Sequence, residues 1–173
     1  MPTGLKASSA TVAIGFSVEE AVANTFVEGS VDLNLSPLDR EVFVVTAINI
    51  DPLAPDAIDG TDTQTNCSLS STSNFAAGRV LTLADANCLA TANLDIRAGG
   101  ATDWGVSFTR HGMEAPPATL DYIGIISTND FFVQCKGLGN TSTKGCSGKV
   151  YGYRAVASAD IYAALVQSEV LSA

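Results

Sequence analysis

The chain has 173 residues, enough for one domain that buries roughly 70% of its unfolded surface, so neither disulfides nor metals are obligatory. Charged residues are 16%, against about 25% in an average soluble protein, and Ser, Thr, Asn, Ala and Gly fill the deficit. Such a surface suits a subunit covered by its neighbours better than a freely diffusing enzyme, and a net charge of −9 sets direct nucleic-acid binding aside.

Residues 1–24 read as an N-terminal arm or short helix, with Val18, Ala21 and Val22 supplying a helical spacing. The apolar stretch Thr11-Val12-Ala13-Ile14-Gly15-Phe16 is too short for a signal peptide and runs into Glu19 and Glu20. A chain kept in the cytosol until assembly or release is the expectation. No run approaches the ~18 apolar residues of a membrane-spanning helix.

Residues 25–157 carry the strand signals of a β-sandwich. Val31, Leu33 and Leu35 alternate with Asp32 and Asn34, a half-buried strand. Ser36-Pro37-Leu38-Asp39 makes a turn. Val42 to Ile50 follows, almost all β-branched, aromatic or small, as in a strand buried on both faces between two layers or between subunits. The two strands are expected to pair antiparallel across the turn.

Asp51 to Asn66 reads as a loop rich in turn formers, Asp51-Pro52, Ala54-Pro55 and Asp59-Gly60. Short strands are predicted at Cys67–Ser73, Arg79–Leu83 and Leu94–Arg97, with Ala84–Ala92 open between a helical turn and a strand. Trp104–Thr109 alternates as a strand, and Arg110–Thr119 is a second long loop. Leu120–Ser127 and Phe131–Cys135 are predicted as a hairpin about Asn129-Asp130, and Lys149–Ala157 as the last strand. Residues 158–173 form a C-terminal helix or tail: Ser158 is a good N-cap, Asp160 favours the dipole, and Ile161, Tyr162, Leu165 and Val166 share a face. The fold class is all-β, an eight-stranded jelly-roll sandwich with a short C-terminal helix.

Side chains for chemistry are few. His111 is the single imidazole, and no nucleophile motif accompanies it. One histidine excludes the usual metal-binding cupin site. Cys67, Cys88, Cys135 and Cys146 contain no CxxC pair, which disfavours zinc; Cys135 and Cys146 bracket a glycine-rich loop and are placed to face one another across a hairpin. Buried free thiols are the plain reading, with one or two disulfides as the alternative.

Asp51, Asp56, Asp59 and Asp62 crowd one loop, a solvated acidic segment or, without EF-hand spacing, the place to look for a calcium ion. Asn66-Cys67-Ser68 and Asn140-Thr141-Ser142 match the glycosylation sequon. Lys136, Lys144, Lys149 and Arg154 gather near the C-terminus without an aromatic platform. Trp104, Tyr122, Tyr151 and Tyr153 read as core aromatics, with a sugar groove as the alternative. No catalytic, cofactor-binding or metal site is assigned, no cofactor is expected, and the chain does not read as an enzyme.

The block Ser36–Ile50 and the block Leu120–Cys135, with Asp130-Phe131-Phe132-Val133, resemble shell proteins of tailless icosahedral viruses of bacteria and archaea. The similarity is to the small major capsid proteins built as single upright jelly rolls, in viruses with a membrane inside the shell, and it covers about 30 of the 173 residues. It implies a structural capsid subunit that self-associates into capsomers and resides in the virion after assembly in the host cytoplasm. Its implied partners are other copies, a second coat protein and an internal membrane beneath the shell, with no direct nucleic acid. The alternative is an extracellular carbohydrate-binding or adhesive sandwich, calcium-dependent through the acidic loop. A small β-rich enzyme built around His111 is the third class.

Overall fold

The computed structural model describes residues 3–98, 106–112 and 119–172. The first strands are β1 (Leu5–Ala7), β2 (Val12–Glu19), β3 (Val27–Asp32), β4 (Glu41–Pro52) and β5 (Thr63–Ser70). After a long connection come β6 (Cys88–Arg97), β7 (Val106–Gly112), β8 (Gly124–Ile126), β9 (Asp130–Leu138) and β10 (Gly145–Ala157), then helix α1 (Ala159–Ser172). They build an all-β sandwich of two five-stranded antiparallel sheets with the helix at the C-terminus.

One sheet runs β2-β10-β4-β8, and the short β1 continues the β2 edge further along β10. The other runs β3-β9-β5-β6-β7. Between them lies a core that includes Phe16, Phe43, Val45, Ile48, Ile50, Leu69, Phe131, Val133 and Val150. Phe16 and Phe131 meet edge to face at 6.1 Å, one ring from each sheet.

Strand β4 explains its own composition. Phe43 and Val45 point into the sandwich, while Val42 and Val44 point outward into a second cluster with Leu5, Ala155 and Ala157, covered by Ile161, Tyr162 and Leu165 of α1. The helix is thus the second layer that the doubly apolar run requires. Register shifts at Tyr151/Gly152, leaving Thr46 as an extra residue on β4. The bulge changes the inward phase from Phe43 and Val45 to Ile48 and Ile50. Opposite, β10 carries glycine where rings lie against it: a Cβ on Gly148 would fall 2.1 Å from the Asn49 carbonyl oxygen and 2.5 Å from Phe16 Cζ.

Two connections are packed rather than loose. Residues 71–87 fold over the outer face of the second sheet, where Ser68, Ser70 and Gln134 are buried and hydrogen-bonded. Leu81 N–H donates to Ser68 Oγ at 3.0 Å, and Asn74 N–H and the Gln134 amide donate to the Glu28 carboxylate at 2.7 and 3.0 Å. On the other sheet, the Glu169 carboxylate of α1 accepts from Ser127 N–H, Ser127 Oγ–H and Thr128 N–H at 2.8–2.9 Å.

Several sequence expectations are corrected. Residues 12–19 are not an arm or a helix but strand β2, fully paired to β10; Val12, Ile14, Phe16 and Val18 alternate with small or polar residues, a period of two. The strands on either side of Ser36–Asp39 do not pair: β3 joins β9 and β4 joins β10, so the turn carries the chain between sheets. β8 and β9 likewise lie in different sheets rather than forming a hairpin. Arg79–Leu83 belongs to the covering connection, and the described residues hold ten strands: β1 and β2 stand where no strand was expected, while β7 overlaps the expected Trp104–Thr109 strand. Trp104 and most of the Arg110–Thr119 loop lie outside the described residues, whereas Arg110 to Gly112 is strand.

Candidate functional site

Three of the four cysteines meet at one point in the core. Cys67 of β5 and Cys135 of β9 stand directly opposite in register, and Cys146 of β10 reaches them from the other sheet. Their sulfurs all lie within 4.8 Å of one another, and the Cys67–Cys135 separation is 3.7 Å. Each occupies an inward position of its strand: Thr63, Thr65, Cys67 and Leu69 on β5, Phe131, Val133 and Cys135 on β9, Cys146 and Val150 on β10. All three are free thiols, 0%, 0% and 4% exposed.

The cluster divides its protons unequally. Hydrogen bonds from Cys135 and then Cys67 lower the Cys146 thiol below its ordinary value, against the opposing effect of burial. Contacts with Cys135 and then Cys146 push Cys67 up, and the Cys146 contact pushes Cys135 up against a lowering contact from Cys67; burial adds to both rises. Cys88 stands apart, with its thiol pushed up to about 11 by burial and the nearby Asp85 carboxylate.

Above Cys146, at the mouth of the sandwich, is a cavity of about 570 Å³. Val18, Pro52, Ala54, Leu94 and Cys146 line it, so its walls come from both sheets. Thr65, one inward position from Cys67 and in register with Leu94, has a buried hydroxyl with no hydrogen-bond partner among the described residues.

The loops around this mouth are fastened by ionic groups. Asp56 accepts from Thr141 N–H at 2.8 Å, from Ser142 N–H and Oγ–H, and from the buried Lys144 ammonium at 2.6 Å. The Lys144 contact first, then Ser142, hold the Asp56 carboxyl well below the usual range. Buried Glu20 accepts from Gly137 N–H at 2.7 Å and Lys144 N–H at 2.9 Å. Asp62 accepts from Ala98 N–H and from Arg97, both at 2.9 Å.

The residues singled out in the sequence are dispersed by the fold. Asp56 and Asp62 spend their oxygens on internal donors, and Asp51 lies on the cavity wall, so the acidic loop does not converge on a common point. Asn140 is buried, its amide donating to Gln64 and Leu138 carbonyls while its oxygen accepts from Asp56 N–H, so this sequon is closed to a glycan in the folded chain. Asn66 lies within β5. Lys144, just before β10, and Arg154, near its far end, sit about 30 Å apart, the first in the Asp56 pair and the second bonded to the Leu33 carbonyl. Tyr122 and Tyr153 pack with the helix cluster, whereas Tyr151 lines a shallow groove with Asn49 and Lys149. His111 is on β7, in register with Ala92.

Cys135 and Cys146 do come together, but across the sandwich rather than across a hairpin, and with Cys67 as a third partner. Spacing carries no sign of this. The available signal was weaker: each cysteine falls in the inward phase of an alternating strand. No protein-family model matches the chain, and no curated protein matches it.

Proposed function

We propose that the sandwich is a jelly roll and that the chain is a structural subunit of an icosahedral viral shell, self-associating into capsomers. The observation that carries this reading is the pairing of strands first with last. Apart from β1 and β7, β2 pairs β10, β3 pairs β9, β4 pairs β8 and β5 pairs β6, all antiparallel. Successive rungs fall in alternate sheets, as they do when one long hairpin ribbon is rolled into two Greek keys.

Fold alone does not fix function, and the surface adds a second support. Strand β7 ends its sheet with no strand beyond it among the described residues. Val106 and Phe108 on it are 55% and 51% exposed, and residues 106–110 are exposed on both faces. An open apolar edge on a chain with 16% charged residues is a surface to be covered by another subunit. The partners in this reading are other copies and a second coat protein over an internal membrane, and the location is the virion.

The test is assembly. The purified chain, alone and co-expressed with neighbouring coat genes, is run on size-exclusion chromatography with light scattering and imaged in negative stain. Capsomers or regular particles that Phe108→Glu abolishes without lowering the melting temperature are the expected result. A monomer at high concentration under both conditions refutes the reading.

A further inference from the structure

We propose that Cys67, Cys135 and Cys146 form a three-thiolate site for one thiophilic d10 metal ion, zinc(II), loaded through the cavity between the sheets. The inference is independent of the shell reading. It stands on geometry: three strands and both sheets deliver sulfur to one point, and the fourth cysteine of the chain is elsewhere.

The spacing suits the ion. Zinc–thiolate bonds of about 2.3 Å in tetrahedral geometry put neighbouring sulfurs about 3.8 Å apart, and Cys67 and Cys135 already stand at 3.7 Å. Closing the remaining sulfurs, all within 4.8 Å, requires rotamer adjustment rather than strand movement. Apolar side chains of equal size would fill this space without bringing three ligands together, so thiols here add something that packing does not need.

The fourth position is open on the correct side. Cys146 forms part of the cavity wall, and water from that cavity supplies the fourth ligand. The unpartnered Thr65 hydroxyl near Cys67 is the kind of buried polar group that a metal-bound water satisfies. Binding displaces whatever protons the three thiols still carry, and leaves a net charge of −1 on the zinc with its three thiolate sulfurs and neutral water. Copper(I) held by the same three thiolates would leave −2 in the same apolar surroundings, which favours zinc.

The experiment uses the full chain, reduced and stripped with a chelator, then given zinc and passed over a desalting column. One zinc retained per chain, released protons and a raised melting temperature are expected. Cadmium in place of zinc should give a sulfur-to-metal charge-transfer band in the ultraviolet. Cys146→Ala, Cys67→Ala and Cys135→Ala should each weaken zinc affinity by roughly 100-fold or more, while Cys88→Ala leaves it unchanged. Circular dichroism identifies any variant that fails to fold, and Cys146→Ser, which keeps the site's volume, replaces it. No zinc retained by the reduced wild type, or equal retention in folded Cys146→Ala or Cys146→Ser, overturns the proposal. So does a cadmium band that survives loss of Cys67 or Cys135.

Discussion

Replacing Glu169 with alanine tests whether α1 is a structural layer or an appendage. Its carboxylate, 8% exposed, accepts three hydrogen bonds from Ser127 and Thr128. Hydrogen bonds to a charged acceptor contribute about 1.5–3 kcal/mol each, so simple addition would exceed 4 kcal/mol. That sum is too large here, because a cavity of about 220 Å³ beside Glu169, lined also by Ser71, Asn87 and Leu165, admits water to the orphaned donors. A loss of roughly 2–4 kcal/mol remains, or about 5–12 °C in melting temperature for a domain of this size. Glu169→Gln keeps an acceptor but turns an amide donor toward N–H groups, so it should lose about half as much. Urea denaturation followed by circular dichroism gives the energies. Hydrogen exchange locates the effect: residues 41–45 should open together with 159–172, because Val42 and Val44 lose their cover when the helix lifts. A loss below about 0.5 kcal/mol, within the range of ordinary surface substitutions, or exchange confined to the helix, refutes the reasoning.

Gly148→Ala should destabilise by about 1–3 kcal/mol through overpacking against Phe16 and the Asn49 carbonyl. Adding Phe16→Leu should recover only part, since the carbonyl contact stays; an unchanged melt for Gly148→Ala counts against the packing described. Acid should weaken the fold in a defined window. Asp56, held by Lys144, and Asp85, held by Arg79, both have folded pKa values below the unfolded value of about 3.9. Their contribution is present above pH about 4 and is lost as pH falls through the folded values. Asp56→Asn should therefore melt lower at neutral pH yet lose less between pH 6 and pH 3 than wild type, and parallel melting curves would contradict the assignment. Calcium or a calcium chelator should leave the melting temperature unchanged, because Asp56 and Asp62 already spend their oxygens on internal donors. A rise of several degrees with calcium would show that a cation competes for them.

Most of the strands were legible because alternation reports which face of a strand is buried. β4, β10 and the inward residues of β9 follow from it, as does α1 from the spacing of Ile161, Tyr162 and Leu165. Pairing was not legible. Two strands joined by a short turn usually form a hairpin, and that rule placed β3 beside β4 and β8 beside β9. Here Ser36–Asp39 and Asn129 are corners between layers, marked by long-range bonds: Leu33 N–H to the Asn129 carbonyl at 2.7 Å, and Leu35 N–H to the Asn129 side chain at 2.7 Å. β2 was missed for a local reason. Its small residues Ala13, Gly15 and Ser17 dilute the hydrophobic signal, although they are what the exposed face of an outer strand can tolerate.

The thiol cluster shows why pairing matters more for a site than strand assignment does. Cys67 and Cys135 fall in strands expected from sequence, whereas Cys146 precedes the expected Lys149–Ala157 strand and joins β10 only in the structure; inward faces of ten strands also offer many separate neighbourhoods. What joins them is the order of the strands in the two sheets. β5 and β9 become neighbours because β4 crosses to the other sheet before β5 begins, and Cys146 faces them because β10 crosses again after β9. A metal motif such as CxxC is readable because one short turn sets its geometry. In this chain the cysteine spacing is set by topology, so the strand order on which the proposed shell reading rests also brings together the site proposed for zinc. The two remain separable in the laboratory: Phe108→Glu acts on the outer edge of β7, and Cys146→Ala acts inside the sandwich. Loss of particles with zinc retained, and loss of zinc with particles retained, would show that one fold carries two unrelated properties.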